Sequence, residues 1–197
     1  KGKTKNILQS SIDSALLAVE IYNKPRTPFK VENYISLMII AWTRLFHAYF
    51  NNTIGDKFYY KKGSRYKIVD GERKAWELGE CIKKYNGLSE PEKKNLEFFI
   101  KLRNKIEHRH IEKETLGTQI FGECQALLYN YENTLTKLFG EEYAINENLA
   151  FSFQFSKVQT QEQRKAQKNL LSSEAQDINI EQLFRKKYFR ARNIALN

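Results

Sequence analysis

The chain has 197 residues, 41% of them hydrophobic and 13% aromatic, with a formal net charge of +10 at pH 7. This is ample apolar surface for one packed core, which excludes wholesale disorder. Nine glycines and three prolines are too few for a turn-rich all-β fold. The basic excess calls for an anionic partner, nucleic acid before a membrane surface. It is concentrated in three places: Lys57, Lys61, Lys62, Arg65 and Lys67; Lys101, Arg103, Lys105, Arg109 and Lys113; and Arg185, Lys186, Lys187, Arg190 and Arg192. Cys81 and Cys124 form no CxxC pair, so neither a thiol metal site nor a disulfide framework is indicated, and a reducing cytoplasm is the default. No signal or transit peptide stands out. The only methionine is Met38, so the chain is not expected to begin at its own start codon.

Apolar residues at Ile7, Leu8, Ile12, Ala15, Leu16 and Val19 recur at helical spacing and predict a first helix, ended by Asn23-Lys24-Pro25. Thr27-Pro28 reads as an N-cap and first helical position. The second helix, about Phe29 to Phe50, is apolar nearly all round and is expected at the centre of the fold. Glu32, Arg44 and His47 argue against a membrane span there. Between 51 and 71, aromatic and β-branched residues flank Lys62-Gly63-Ser64, the pattern of a β-hairpin or an ordered loop. A helix is expected from about Glu72 to Tyr85. Another is opened by the capping box Ser89-Glu90-Pro91-Glu92, with apolar positions at Leu96, Phe99, Leu102 and Ile106. A long helix from about Glu114 to Phe139 closes the helical part. Residues 149–155 then alternate with period two, a strand signal, and 180–195 form a basic amphipathic segment. No internal repeat is apparent. The expected fold is mainly α: a bundle of four to five helices over 1–145 with a short β insertion. A small α/β appendage over 146–197 docks on it or reaches a partner.

The residues most suited to chemistry lie between Arg103 and His110. At ~100° per residue, Leu96, Phe99, Ile100 and Ile106 all fall within ~60° of Arg103, so the arginine is expected in the middle of an apolar face. A buried guanidinium needs a carboxylate such as Glu20, Glu32 or Glu107, or a cleft that opens onto it. Asn104 adds a polar group beside it. Histidine exchanges protons near neutral pH, and arginine binds phosphate and stabilises charge building on its oxygens. Together they suffice for RNA cleavage by attack of the ribose 2′-hydroxyl, giving 2′,3′-cyclic phosphate ends without a metal.

Arg103-Asn104-Lys105-Ile106-Glu107-His108 resembles the R-x(4–6)-H signature of the HEPN superfamily in its R-N-x-x-x-H form. Ser14-Ala-Leu-Leu-Ala-Val-Glu20, Tyr22-Asn-Lys-Pro25, Ala41-Trp-Thr-Arg-Leu-Phe-His-Ala48, Leu102 to His110 and Phe151-Ser-Phe resemble a branch of it catalogued as a domain of unknown function. The resemblance covers roughly Ile7 to Val158. It implies a HEPN-like helical bundle, metal-independent endoribonuclease activity without a cofactor, a toxin–antitoxin or antiviral defence setting, and a homodimer whose two motifs face each other. It makes Arg103 the phosphate-binding arginine, Asn104 its polar neighbour and His108 the catalytic histidine. His110 also fits the spacing. On an ideal helix it lies near −20° from Arg103, against +140° for His108, so both remain candidates.

Lys61, Lys62, Arg65, Lys101, Lys105 and Arg109 are the candidate RNA contacts, and Tyr59, Tyr60 and Tyr66 a stacking surface. The competing reading of these tyrosines packs them on the bundle. Three histidines without paired acids at ligand spacing indicate no metal site. The rival function is a non-catalytic module that binds RNA or a protein through its basic face. A third reading has a cognate antitoxin or a nucleotidyltransferase as controlling partner, modifying a tyrosine near the motif; Tyr129 and Tyr131 are not singled out.

Overall fold

A computed structural model describes residues 2–24, 28–108 and 120–145. The protein is mainly α-helical, as its composition predicts. Helices α1 (Gly2–Asn23) and α2 (Lys30–Ile54) form an antiparallel pair. Thr4 Oγ1 donates to Asn51 Oδ1 at 2.8 Å near one end, and Ser11 Oγ to the Ala41 carbonyl at 2.6 Å near the middle. The face α1 buries combines Leu8, Ile12 and Val19 with the small residues Ser11, Ser14, Ala15 and Ala18, which let α2 approach closely. Helix α2 presents Tyr34, Ile35, Met38, Trp42, Leu45 and Phe46 to the core.

Helices α3 (Leu78–Lys84), α4 (Glu90–His108) and α5 (Phe121–Phe139) complete the bundle. Helix α5 runs parallel to α2, since Tyr34 Oη donates to the Cys124 carbonyl at 2.7 Å and the Trp42 and Tyr131 rings meet edge to face at 5.6 Å. Helix α4 runs antiparallel to α5, with Gly87 beside Lys137 (3.0 Å) and Asn95 beside Glu123 (3.4 Å). No described helix is long and apolar enough to cross a membrane.

Several expected boundaries move. Helix α2 begins at Lys30, preceded by Phe29 in the left-handed region (φ 55°), and not at the expected Thr27-Pro28 cap. It also continues to Ile54, and Ile40 remains 40% exposed, so its apolar surface is not wholly enclosed. The helix expected from Glu72 shrinks to Leu78–Lys84 because residues 72–76 are taken into β structure. The tail signals at 149–155 and 180–195 and the residues 114–119 lie outside the described residues.

The β insertion is two short hairpins, β1 (Lys61–Lys62) with β2 (Arg65–Tyr66) and β3 (Ile68–Val69) with β4 (Glu72–Arg73). Asp70 and Gly71 both take positive φ (51° and 81°), the requirement of a type I′ turn. Residues 60, 67 and 74, spaced by seven, close a ring of backbone hydrogen bonds: Lys67 N–H to the Tyr60 carbonyl, Lys74 to Lys67, and Tyr60 to Lys74, each 2.8–2.9 Å. The two hairpins are thus tied to each other through residues 60, 67 and 74.

His47 of α2 anchors this insertion. Its Nε2 lies 2.7 Å from the Trp76 carbonyl and its ring 4.9 Å from that of Phe58. It is the hydrogen-bonded core histidine that its place on α2 suggests. Burial lowers its pKa, opposed by the bond to Trp76 and reinforced by Arg44. The unfolded chain therefore binds the proton more readily, and stability falls as pH drops through the ordinary value near 6.5 toward the depressed folded one. Thermal unfolding followed between pH 7.5 and about 5 should show a smaller loss in His47→Gln than in the wild type. Equal losses would place the pH sensitivity elsewhere.

Candidate active site at the end of helix α4

Helix α4 is fixed at its start by the capping box. Glu92 Oε2 accepts from Ser89 N–H at 2.6 Å, and Ser89 Oγ accepts from Glu92 N–H at 3.5 Å. Leu96, Phe98, Phe99 and Leu102 are buried and hold the helix against the bundle. Phe98 is the side chain that the stripe omits. With it included, the buried face centres roughly 60° away from Arg103. The arginine therefore lies at the flank of the face and not in its middle, and its side chain is 35% exposed.

Its two ends have different surroundings. Arg103 Nη1 reaches Glu107 Oε1 at 3.2 Å, an i,i+4 pair with both partners partly in solvent. Such a pair contributes about 0.3–0.5 kcal/mol, and arginine preceding glutamate is the weaker order. Glu20 and Glu32 are not its partners in any recorded ion pair. The Arg103 Nε is buried and has no hydrogen-bond partner among the described residues. An unsatisfied buried donor costs about 1–3 kcal/mol. Asn95 Oδ1, two turns earlier on the same helix, is also buried without a partner, a feature that the sequence gives no sign of.

Asn104 and Lys101 are exposed and Lys105 half-buried. His108 is the last residue of α4, which stays helical up to it. Its backbone therefore lies five helical residues, about 140°, around the axis from Arg103. His110 and Arg109 lie outside the described residues. Running antiparallel to α5, α4 carries Arg103 about 12 Å beyond Asn95, toward the end of the bundle where α1 stops and α2 starts. A shallow cleft lined by Tyr22, Tyr34, Phe121 and Cys124 opens at that end, without Arg103 in its wall.

The other nominated cations are not brought to this place. Lys61, Lys62 and Arg65 are exposed on the first hairpin, and the residues that flank the two hairpins, Phe58 and Trp76, sit against His47 and Phe50 toward the opposite end of α2. From Tyr34 to His47, α2 alone rises about 20 Å. The three tyrosines divide. Tyr59 stacks on Phe58 at 4.9 Å, and Tyr60 Oη accepts from the Glu77 N–H at 3.4 Å, so both serve packing. Tyr66, half-buried like the other two, meets Tyr59 edge to face at 5.9 Å.

Other nucleophiles fare poorly. Burial pushes the Cys81 thiol up to about 12 and Cys124 higher still, so neither supplies a thiolate near neutral pH. Tyr131 is buried and bonded to Ser11, whereas Tyr129 is 65% exposed. Among the described residues no group of three or more His, Cys, Asp or Glu is placed to hold a metal ion.

A family model described as a domain of unknown function, DUF3644, matches residues 6–187. No curated protein and no solved structure matches the chain.

Proposed function

We propose that this chain, which belongs to the DUF3644 family, is a metal-independent endoribonuclease of HEPN type acting as a homodimer. The observation that carries the reading is the buried Nε of Arg103, without a partner among the described residues, five residues before a histidine on one unbroken helix. A guanidinium held by only a weak pair to Glu107 is available to a phosphate, which takes two of its donors in parallel. The 2′-oxygen then attacks phosphorus, the P–O5′ bond breaks, and Arg103 stabilises the charge on the equatorial oxygens. A histidine removes the 2′-hydroxyl proton or supplies one to the leaving 5′-oxygen.

The ~140° between Arg103 and His108 supports a composite site, with arginine from one copy and histidine from the other. His110 lies outside the described residues; as the acting histidine on an ideal helix it would instead work beside the arginine of its own copy. The rival reading, a non-catalytic binding module, is favoured by the Arg103–Glu107 pair, which gives the arginine a structural role. RNA incubated with the full chain in EDTA separates these readings. Wild type should yield 2′,3′-cyclic phosphate ends, and either His108→Ala or His110→Ala should lose them. RNA bound but left intact by the wild type would favour the binding module. Cleavage that survives both substitutions would move the site elsewhere.

A further inference from the structure

Half of the chain's net charge lies in one small unit remote from Arg103. Residues 57–76 hold seven lysines and arginines against Asp70 and Glu72. Lys61, Lys62, Arg65, Lys67 and Arg73 are all exposed, and none is in a recorded ion pair among the described residues. Aromatic groups lead from the interior to this surface: His47 against Phe58, Phe58 stacked on Tyr59, and Tyr59 edge to face with Tyr66 at 5.9 Å. Tyr66 is half-buried, with the Arg73 guanidinium 4.5 Å and the Lys61 ammonium 5.0 Å from its ring centre. The hydrogen-bonded ring at 60, 67 and 74 holds both hairpins to each other, so the group is preorganised.

We infer that the twin hairpins form a binding platform for single-stranded RNA, centred on Tyr66 and Arg73 and separate from the cleavage site. Bases stack on aromatic rings and guanidinium planes, while the surrounding cations track the phosphates. A duplex hides its base faces and offers this unit only phosphate. An anionic membrane is disfavoured by the polar tips, Gly63-Ser64 and Asp70-Gly71, the second of which carries a negative charge.

As a role in catalysis this rests on the ribonuclease reading, since the platform would hold the strand that Arg103 cuts. The two places are about 20 Å or more apart along α2. At 3.4 Å per stacked nucleotide, a strand reaching both needs about six nucleotides or more. Shorter RNA should be cut slowly, and its cutting should be indifferent to Tyr66.

Binding is measured with the full chain and a labelled 2′-O-methyl strand of about 12 nucleotides, which lacks the attacking hydroxyl. Tyr66→Ala should weaken binding about tenfold, and Tyr66→Phe should retain it. Lys62→Glu and Arg65→Glu, at exposed positions that the hairpin pairing does not depend on, should weaken it as well. Unchanged binding in Tyr66→Ala, or equally tight binding of the matching duplex or of phosphatidylserine vesicles, would overturn the platform. Cleavage of ordinary RNA is read separately. Strand binding lost in Tyr66→Ala without wild-type cleavage supports the platform and removes the ribonuclease. Cleavage with Tyr66-independent binding does the reverse.

Discussion

Arg103→Ala should lower the rate of RNA cleavage about 100- to 1,000-fold, the usual effect of removing one preorganised donor from a developing oxyanion. The same substitution should leave thermal unfolding unchanged or raise its midpoint slightly. The pair to Glu107 contributes only a few tenths of a kcal/mol, whereas the desolvated Nε costs about 1–3 kcal/mol when nothing accepts from it. Arg103→Lys should recover little activity, because a point charge cannot present two parallel donors. A purely structural arginine predicts the opposite pattern: lost stability with Arg103→Ala and no selective effect on cleavage. If the site is shared between copies, inactive Arg103→Ala and His108→Ala chains mixed under exchanging conditions should regain about a quarter of wild-type activity. Half of the dimers would then be mixed, each with one intact site of two. No recovery would place Arg103 and His108 in the site of one copy, whereas a His108→Ala chain that is active by itself would favour His110.

The parts of the fold legible in the sequence are those where local chemistry and packing agree. Ser89 and Glu92 announce the start of α4 through side chains that each bond the other's backbone N–H, and the structure makes both bonds. Leu96, Phe99 and Leu102 are buried as their spacing implies. Phe98 was hidden by its neighbour: of two adjacent phenylalanines, a stripe admits one, whereas the bundle buries both and so displaces Arg103 to the flank. The extent of the insertion beyond Gly71 is not legible, for a different reason. Glu72-Arg73-Lys74-Ala75 is made of good helix formers. Pairing of 74–76 with 58–60, through Tyr60 N–H to the Lys74 carbonyl and Trp76 N–H to the Phe58 carbonyl, overrides that propensity. This pairing brings Arg73 beside Tyr66, and Asp70-Gly71 between Val69 and Glu72 is the one hairpin signal for it in the sequence. The distance between the basic hairpin and Arg103 was not legible at all, because charge clusters carry no information about which end of a helix they occupy.

Trp42→Ala should be the most damaging single change to stability, lowering the unfolding free energy by about 3–5 kcal/mol. Trp42 is fully buried midway along α2, with the Phe46 and Tyr131 rings each 5.6 Å away, and so joins α2 to α5 at the point where α1 crosses. Its loss leaves a cavity that Ser11, bonded to both Ala41 and Tyr131, is not free to fill. Against a typical total of 5–15 kcal/mol, the variant should be partly unfolded at physiological temperature. Trp42→Phe should cost much less, because the indole Nε1 is buried without a partner and its removal offsets part of the lost contact area. Tyr131→Phe tests the neighbouring polar pair. Ser11 donates its hydroxyl proton to the Ala41 carbonyl, so Tyr131 is the donor in the 2.8 Å bond to Ser11, and losing it should cost about 1 kcal/mol. Urea unfolding of the three variants checks the order. If Trp42→Ala unfolds at the wild-type midpoint, the α1–α2–α5 junction is not what holds the bundle together. If it unfolds early, RNA binding and cleavage should fall together with the loss of helix. Arg103→Ala would instead lose cleavage from an intact fold, and Tyr66→Ala would lose strand binding from one.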